Sequence, residues 1–177
     1  MDKDYIVEEI EGLFKIIKLQ EFRKTPGVVF DVMGKSMVPK VDAIDRVLHL
    51  QDAISPGPVE GDDRPWYMHP YQDDNLLVLR GERHVELWSE KEPHVHKFVV
   101  TPEYIEHNGK RVLEGGGLLV WPTYVFHRVQ SGKDGSASVN MATHYEGFDI
   151  KTNFNIYSLN PETGEYKVAR EGHKDQK

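Results

Sequence analysis

Residues 66–81 read WYMHPYQDDNLLVLRG. One histidine and two acids, His69, Asp73 and Asp74, stand directly before an apolar run that stops at Gly81. A carboxylate beside a buried strand is costly unless something pairs with it. Either these acids sit in a solvated turn or a cation meets them. Strand alternation sends Asp73 and Asp74 to opposite faces, so one can look inward while the other stays a turn acid. An irregular turn would allow either assignment.

Outward from this stretch the chain repeats one pattern. VVFDVM, RVLHL, HVELWS, HKFVV, GLLVW, VFHRVQ, SVNMATHY and TNFNIYSL are short and rich in β-branched and aromatic residues. Turn-forming segments such as SPGP, HNGK, EGGG, GKDG and NPETGE separate them. Many short strands with frequent turn signals predict an all-β sandwich or barrel. Gly81-Glu82 predicts a tight hairpin between LLVLR and RHVELW, since glycine supplies a positive φ. NPETGEY predicts a second hairpin near the end.

The N-terminal segment reads differently. Ile6, Ile10, Leu13, Phe14 and Ile17 fall at the spacing of one helix face. We expect a short helical arm over residues 1–26, a barrel over 27–170 and a flexible polar tail over 171–177. An apolar arm of this kind needs a surface to pack on, because a lone short helix is marginal in water. The barrel and a second subunit are the expected surfaces.

Charge and composition narrow the function. The 177 residues carry 29 acids against 22 bases, a formal charge of −7. With no basic cluster, nucleic acid and anionic membranes are poor partners. No apolar run approaches the roughly 20 residues that span a bilayer, and the acidic start lacks a signal-peptide layout. There is no cysteine, so disulfides, thiolate catalysis and Cys-ligated zinc are excluded. These features fit a cytoplasmic protein. There is also no G-x-S-x-G elbow, and EGGG leads into a strand rather than a phosphate-binding helix.

Spacing then points to a family. Four residues separate His69 from Asp74, and six separate Asp74 from Gly81. In GGLLVWPTYVFH, Gly116, Pro122 and His127 follow at offsets of their own. Both stretches resemble the two motifs of the cupin superfamily, G-x5-H-x-H-x3–4-E-x6-G and G-x5-P-x-G-x2-H-x3-N. The sequence departs from them at Tyr67, where the first histidine would stand, and at Asp74, which replaces glutamate. Tyr124 replaces a glycine and Ser131 an asparagine. The resemblance runs from about Ser55 to Tyr145.

It implies a cupin-type jelly-roll barrel holding one divalent metal ion on His69, Asp74 and His127. Two imidazoles and a carboxylate with open positions suit Fe2+, with Mn2+, Ni2+, Co2+ or Zn2+ as competitors. Tyr67 would then be an acid or hydrogen-bond partner beside the metal, or else a plain barrel aromatic. The implied function is a metal-dependent enzyme acting on a small organic molecule in the cavity, of oxygenase or isomerase/lyase type. The alternative is a non-catalytic small-ligand binding or sensing protein. The resemblance also suggests a homodimer.

Other polar residues are open to plainer readings. His94-Val-His96 has the pairing of a metal site but lies at a charged hairpin end. Ser138, Asn140, Ala142 and His144 share one strand face, which reads as the solvent face with a pocket wall as the alternative. Arg128 should point away from His127. His49, alone on an alternating strand, reads as structural.

Overall fold

The computed structural model describes residues 4–176. In chain order the first strands are β1 (Ile6–Ile10), β2 (Phe14–Lys18), β3 (Gln20–Thr25), β4 (Val28–Val32) and β5 (Ala43–His49). Then come β6 (Ile54–Ser55), β7 (Trp66–Met68), β8 (Gln72–Trp88), β9 (His96–Val100), β10 (Tyr104–His107) and β11 (Lys110–Glu114). The last are β12 (Gly117–Trp121), β13 (Phe126–His144), β14 (Ile156–Leu159) and β15 (Tyr166–Arg170), with a one-turn helix α1 (Ile150–Asn153) before β14.

Two long strands organise the barrel. β8 and β13 pair antiparallel along nearly their whole length, from Phe126 opposite Trp88 to His144 opposite Gln72. The first half of β8 also pairs with β12, and its second half with β9. The second half of β13 pairs with β5, and its first half with β6 and β7. One layer therefore reads β1-β2-β12-β8-β13-β5. The other reads β11-β10-β9-β8-β13-β7-β14-β15. The shared strands carry the chain from one layer to the other, as in a jelly roll. β3 and β4 form a separate two-stranded hairpin.

Gly81-Glu82 is not a hairpin. β8 runs straight through it, and the ladder to β13 breaks register between Ser131 and Ser136. Gly81 has φ +69°, and a Cβ there would lie 2.0 Å from the carbonyl oxygen of Gly135. The positive φ serves a bulge that bends a continuous strand. The expected GKDG turn likewise lies inside β13 and opposes that bend.

The helical arm is also corrected. Residues 6–10 and 14–18 are two strands turning at Gly12, φ +78°. β2 pairs with both β1 and β12 and is thus an inner strand of the first layer. Phe14 and Ile16 face the core between the layers. Ile17 faces outward but is covered, with Leu118, by Val38. Burial on both faces erases the alternation of a strand and leaves an apolar spacing that imitates a helix.

The core between the layers includes Leu13, Phe14, Leu76, Val78, Leu87, Phe98, Leu119 and Trp121. A second cluster, Trp66, Met68, Trp88, Phe126, Tyr157 and Leu159, ties the terminal hairpin β14–β15 to the barrel. That hairpin follows the NPETGEY expectation. The expected flexible tail makes contacts as far as it is described: Arg170 pairs with Asp175 at 2.6 Å, and Gly172 N donates to Asn155 Oδ1 at 2.9 Å. Lys177 lies outside the described residues.

Candidate metal centre

Strand register brings the motif residues together. His127 lies opposite Tyr67 across β13 and β7, and Asp74 lies opposite Trp121 across β8 and β12. Opposed side chains share a face, so each pair delivers its side chains to one space. His69 follows β7 directly, and its carbonyl accepts from Tyr124 N at 3.0 Å. Tyr124 adopts φ +62°, the conformation glycine takes without strain. The position keeps the backbone of the family glycine while carrying another side chain.

His69, Asp74 and His127 are all buried, with one ligand atom from each lying within 4.8 Å of the others. His69 Nε2 is 3.5 Å and His127 Nε2 3.9 Å from Asp74 Oδ2. The other ring nitrogens are occupied. His69 Nδ1 donates to the Asn153 carbonyl at 2.7 Å and His127 Nδ1 to the Val125 carbonyl at 3.2 Å. A carbonyl can only accept, so both Nδ1 atoms carry hydrogen and both Nε2 atoms face Asp74. Burial, helped by the neighbouring His69, pushes the His127 pKa down to about 4, so its ring is neutral at pH 7.

Asp74 is held in a complementary way. Its Oδ1 accepts from Gln72 Nε2 at 2.8 Å and from Asn140 Nδ2 at 2.6 Å. Both amides are fixed from behind. Asn140 Oδ1 accepts from Asn75 N at 2.8 Å, and Gln72 Oε1 accepts from Asn153 Nδ2 at 3.3 Å. Oδ2 is left facing the imidazoles. Two donors about 2.1 Å from one ion lie roughly 3–3.5 Å apart at adjacent positions; the separations here, 3.5 and 3.9 Å to Asp74, lie at and slightly above that range. The donor set and its anchoring therefore fit a divalent metal ion, each histidine carrying the outer hydrogen bond typical of a ligand.

The two acids differ in their partners. Asp73 Oδ1 accepts from Thr123 N at 2.8 Å and Oδ2 from the Tyr145 hydroxyl at 2.6 Å. That bond is the main reason the Tyr145 pKa rises to about 12. Asp73 faces away from the cluster and closes its own network.

The cluster opens on a cavity of about 350 Å³ with apolar walls from Leu76, Trp121, Val129 and Phe154. Tyr67 lines it too, its ring centroid 6.1 Å from that of His69 and 5.9 Å from that of His127. Burial raises the Tyr67 pKa, so the hydroxyl keeps its proton at neutral pH.

The other sequence expectations divide. Ser138 and Asn140 line the cavity, so that face of β13 is the pocket wall rather than the solvent face. His144 Nε2 donates to Gln72 Oε1, 3.1 Å away, at the edge of the network. His94 and His96 do not pair. His94 is exposed, while His96 is buried and bonds His107 at 2.8 Å. Arg128 points away, over the Trp66 ring and onto Glu86. His49 lines the cavity. Arg83 as a pocket residue, and Asn153 as the partner of His69 and Gln72, were not legible in the sequence. Asn153 acts through a one-turn helix capped by Asp149, and Arg83 faces inward because an extra residue of β8 at Leu79, between the pairings Ala137–Arg80 and Ser138–Val78, switches which residues look into the barrel.

No protein-family model matches the sequence, and no curated protein matches it. Solved structures do. A TDP-fucose-3,4-ketoisomerase from Campylobacter jejuni matches at 14% identity over 77% of this chain and 84% of its own, with a TM-score of 0.52. A dTDP sugar isomerase from Desulfovibrio desulfuricans matches at 17% identity, covering 80% of this chain and 83% of its own, TM-score 0.54. The rmlC epimerase of Mycobacterium tuberculosis matches at 8% identity over 78% of this chain and 67% of its own, TM-score 0.52. At such identities the likeness establishes architecture: the chain folds as a cupin-type jelly-roll barrel.

Proposed function

We propose that the protein is a metal-dependent enzyme of isomerase or epimerase type, acting on a small organic molecule in the barrel cavity. The observation that carries this reading is the convergence of three acceptor atoms, on His69, Asp74 and His127, whose outer atoms are already tied to the protein. Three buried acceptors facing one point repel one another unless a cation stands between them. The isomerase class is supported by the solved neighbours, named as sugar ketoisomerases and an epimerase.

A bound divalent ion, Fe2+ first among the candidates, would polarise a carbonyl or hydroxyl oxygen and so acidify the adjacent C–H. The chain's residues then have separable roles. Asn153 and Val125 hold the two rings with Nε2 outward, and Gln72 and Asn140 hold Asp74 Oδ2 toward them. Tyr67, kept protonated by burial, donates to the substrate oxygen on which negative charge develops. Trp121, Leu76 and Phe154 keep water from a carbanion-like intermediate. The molecule works as a homodimer through exposed apolar residues on β3–β4 and on the outer face of β5.

Metal analysis of the purified protein tests the reading. Close to one divalent ion per chain is expected. His127→Ala should lose the ion while keeping a β-type circular dichroism spectrum. Full occupancy in that variant would remove His127 from the ligand set.

A further inference from the structure

One end of the cavity is not used by the metal centre. Arg83 is only 4% exposed. Its Nε donates to Ser136 Oγ at 3.1 Å and one Nη2–H to the Val47 carbonyl at 3.2 Å. A guanidinium has five N–H donors; five less two leaves three without a protein acceptor among the described residues. Burial alone moves its pKa, down to about 10, and no carboxylate lies near enough to push it back up. Arg83 is thus a charged, buried cation with no counter-ion. Arg128, Arg111 and Arg170 each meet a carboxylate.

The surroundings of Arg83 are incomplete in the same way. Among the described residues four buried side-chain polar atoms lack a partner, and three of them, His49 Nδ1, Ser138 Oγ and Trp121 Nε1, belong to residues of this cavity. His49 lies opposite Ser136 in the β5–β13 ladder, beside Arg83. Buried polar groups in native proteins are nearly always satisfied. Trp121 lies at the metal end, opposite Asp74, but the unpartnered Ser138 hydroxyl and His49 ring nitrogen near a lone cation describe a site for an anion.

We propose that Arg83, with Ser138 and His49, binds a carboxylate, and that the substrate is a small organic acid whose reacting oxygen lies at the other end of the cavity. The charge count selects the anion. His49 is neutral at pH 7, its pKa pushed to about 4 by burial and by Arg83, so one positive charge is present, which matches a carboxylate monoanion. The planar guanidinium also fits a carboxylate with two parallel bonds. Spacing separates the two ends. Arg83 reaches the Val47 carbonyl opposite Ser138, and Asn140 holds Asp74 two residues further along the same strand, a span of roughly 6.6 Å. The carboxylate and the oxygen at the metal centre are therefore different groups of one molecule.

This inference rests on the proposed enzyme for the ligand's role as substrate, but its test does not need the metal. Benzoate and its neutral counterpart benzamide are titrated into the full-length protein by calorimetry, with and without EDTA treatment. Benzoate should bind in both states and at least tenfold more tightly than benzamide. Arg83→Gln should weaken benzoate at least tenfold, leave Co2+ affinity unchanged, and raise the ligand-free melting temperature, because an unpaired buried charge is gone. Should Arg83→Gln not fold, Arg83→Lys gives the same comparison, with an intermediate loss from the missing fork. Undetectable benzoate binding, equal binding of benzamide, or full affinity in either variant would overturn the proposal. Phenyl phosphate binding tenfold more tightly than benzoate would overturn the carboxylate assignment. Benzoate binding without metal binding would refute the metal centre and leave the anion site standing.

Discussion

At the scale of single residues, the centre depends on which protons are where. His127 is neutral in the fold, with a pKa of about 4 against an ordinary 6.5. Unfolding lets it take up a proton between those values, so the unfolded state binds more protons there. Stability should fall as pH drops from about 6.5 to about 4, then level off, with His127 and the similarly depressed His49 each contributing about 1.4 kcal/mol per unit at most. Denaturant melts of metal-free protein at pH 7, 5.5 and 4.5 check this, and His127→Gln should reduce the slope by about half, leaving the share of His49. Tyr67 gives a second prediction. It stands opposite His127 where the family resemblance puts a histidine. Tyr67→His should tighten metal binding by adding a fourth protein ligand and abolish turnover by removing the proton donor. Unchanged affinity in a Co2+ titration would mean that this position does not face the ion.

At the scale of elements, the bend in β8 and β13 decides the site. It lets one pair of strands serve both layers and turns Arg83 inward, away from the alternation of Gln72, Asp74 and Leu76. Its requirement is a close backbone approach at Gly81, where any Cβ would strike the Gly135 carbonyl. Gly81→Ala combines that clash with a positive φ, so the expected cost is about 2–4 kcal/mol. Thermal melts should show it, and benzoate affinity should fall with it because Arg83 shifts. The sequence rightly marked Gly81 as special, but a local reading cannot tell a two-residue hairpin from a bulge. Both need positive φ, and only the partner strand distinguishes them.

At the scale of the whole molecule, two apolar surfaces stay open. Phe22 is 64% and Val29 53% exposed on the β3–β4 hairpin, and Ile44 is 71% and Leu50 83% exposed along and just beyond β5. Patches like these mark interaction sites, and β5 is an edge strand paired only with β13. The homodimer reading predicts that Phe22→Ser with Ile44→Ser gives a monomer by light scattering, with the barrel still folded. Full dimer mass in that variant would place the interface elsewhere. Deleting residues 1–18 should act differently and unfold the barrel, because β2 lies between β1 and β12 with Leu13, Phe14, Ile16 and Ile17 fully buried.

Local chemistry and spacing alone pointed to the all-β class and the barrel, and the resemblance of two motifs singled out His69, His127 and the Asp73-Asp74 pair. Turn residues and β-branched runs act over a few positions, and the two motifs preserve offsets that strand geometry translates into a shared face. Tertiary structure decided the rest. It made the N-terminal segment two strands, because burial on both faces hides a period of two. It turned Asp74 toward the two histidines, held by Asn140 a strand away, and tied Asp73 to Thr123 and Tyr145. It turned Ser138 and Asn140 inward, since alternation separates two faces without saying which one meets solvent. It also exposed Arg83 as an unpaired charge, a property defined by missing neighbours that sequence spacing does not encode.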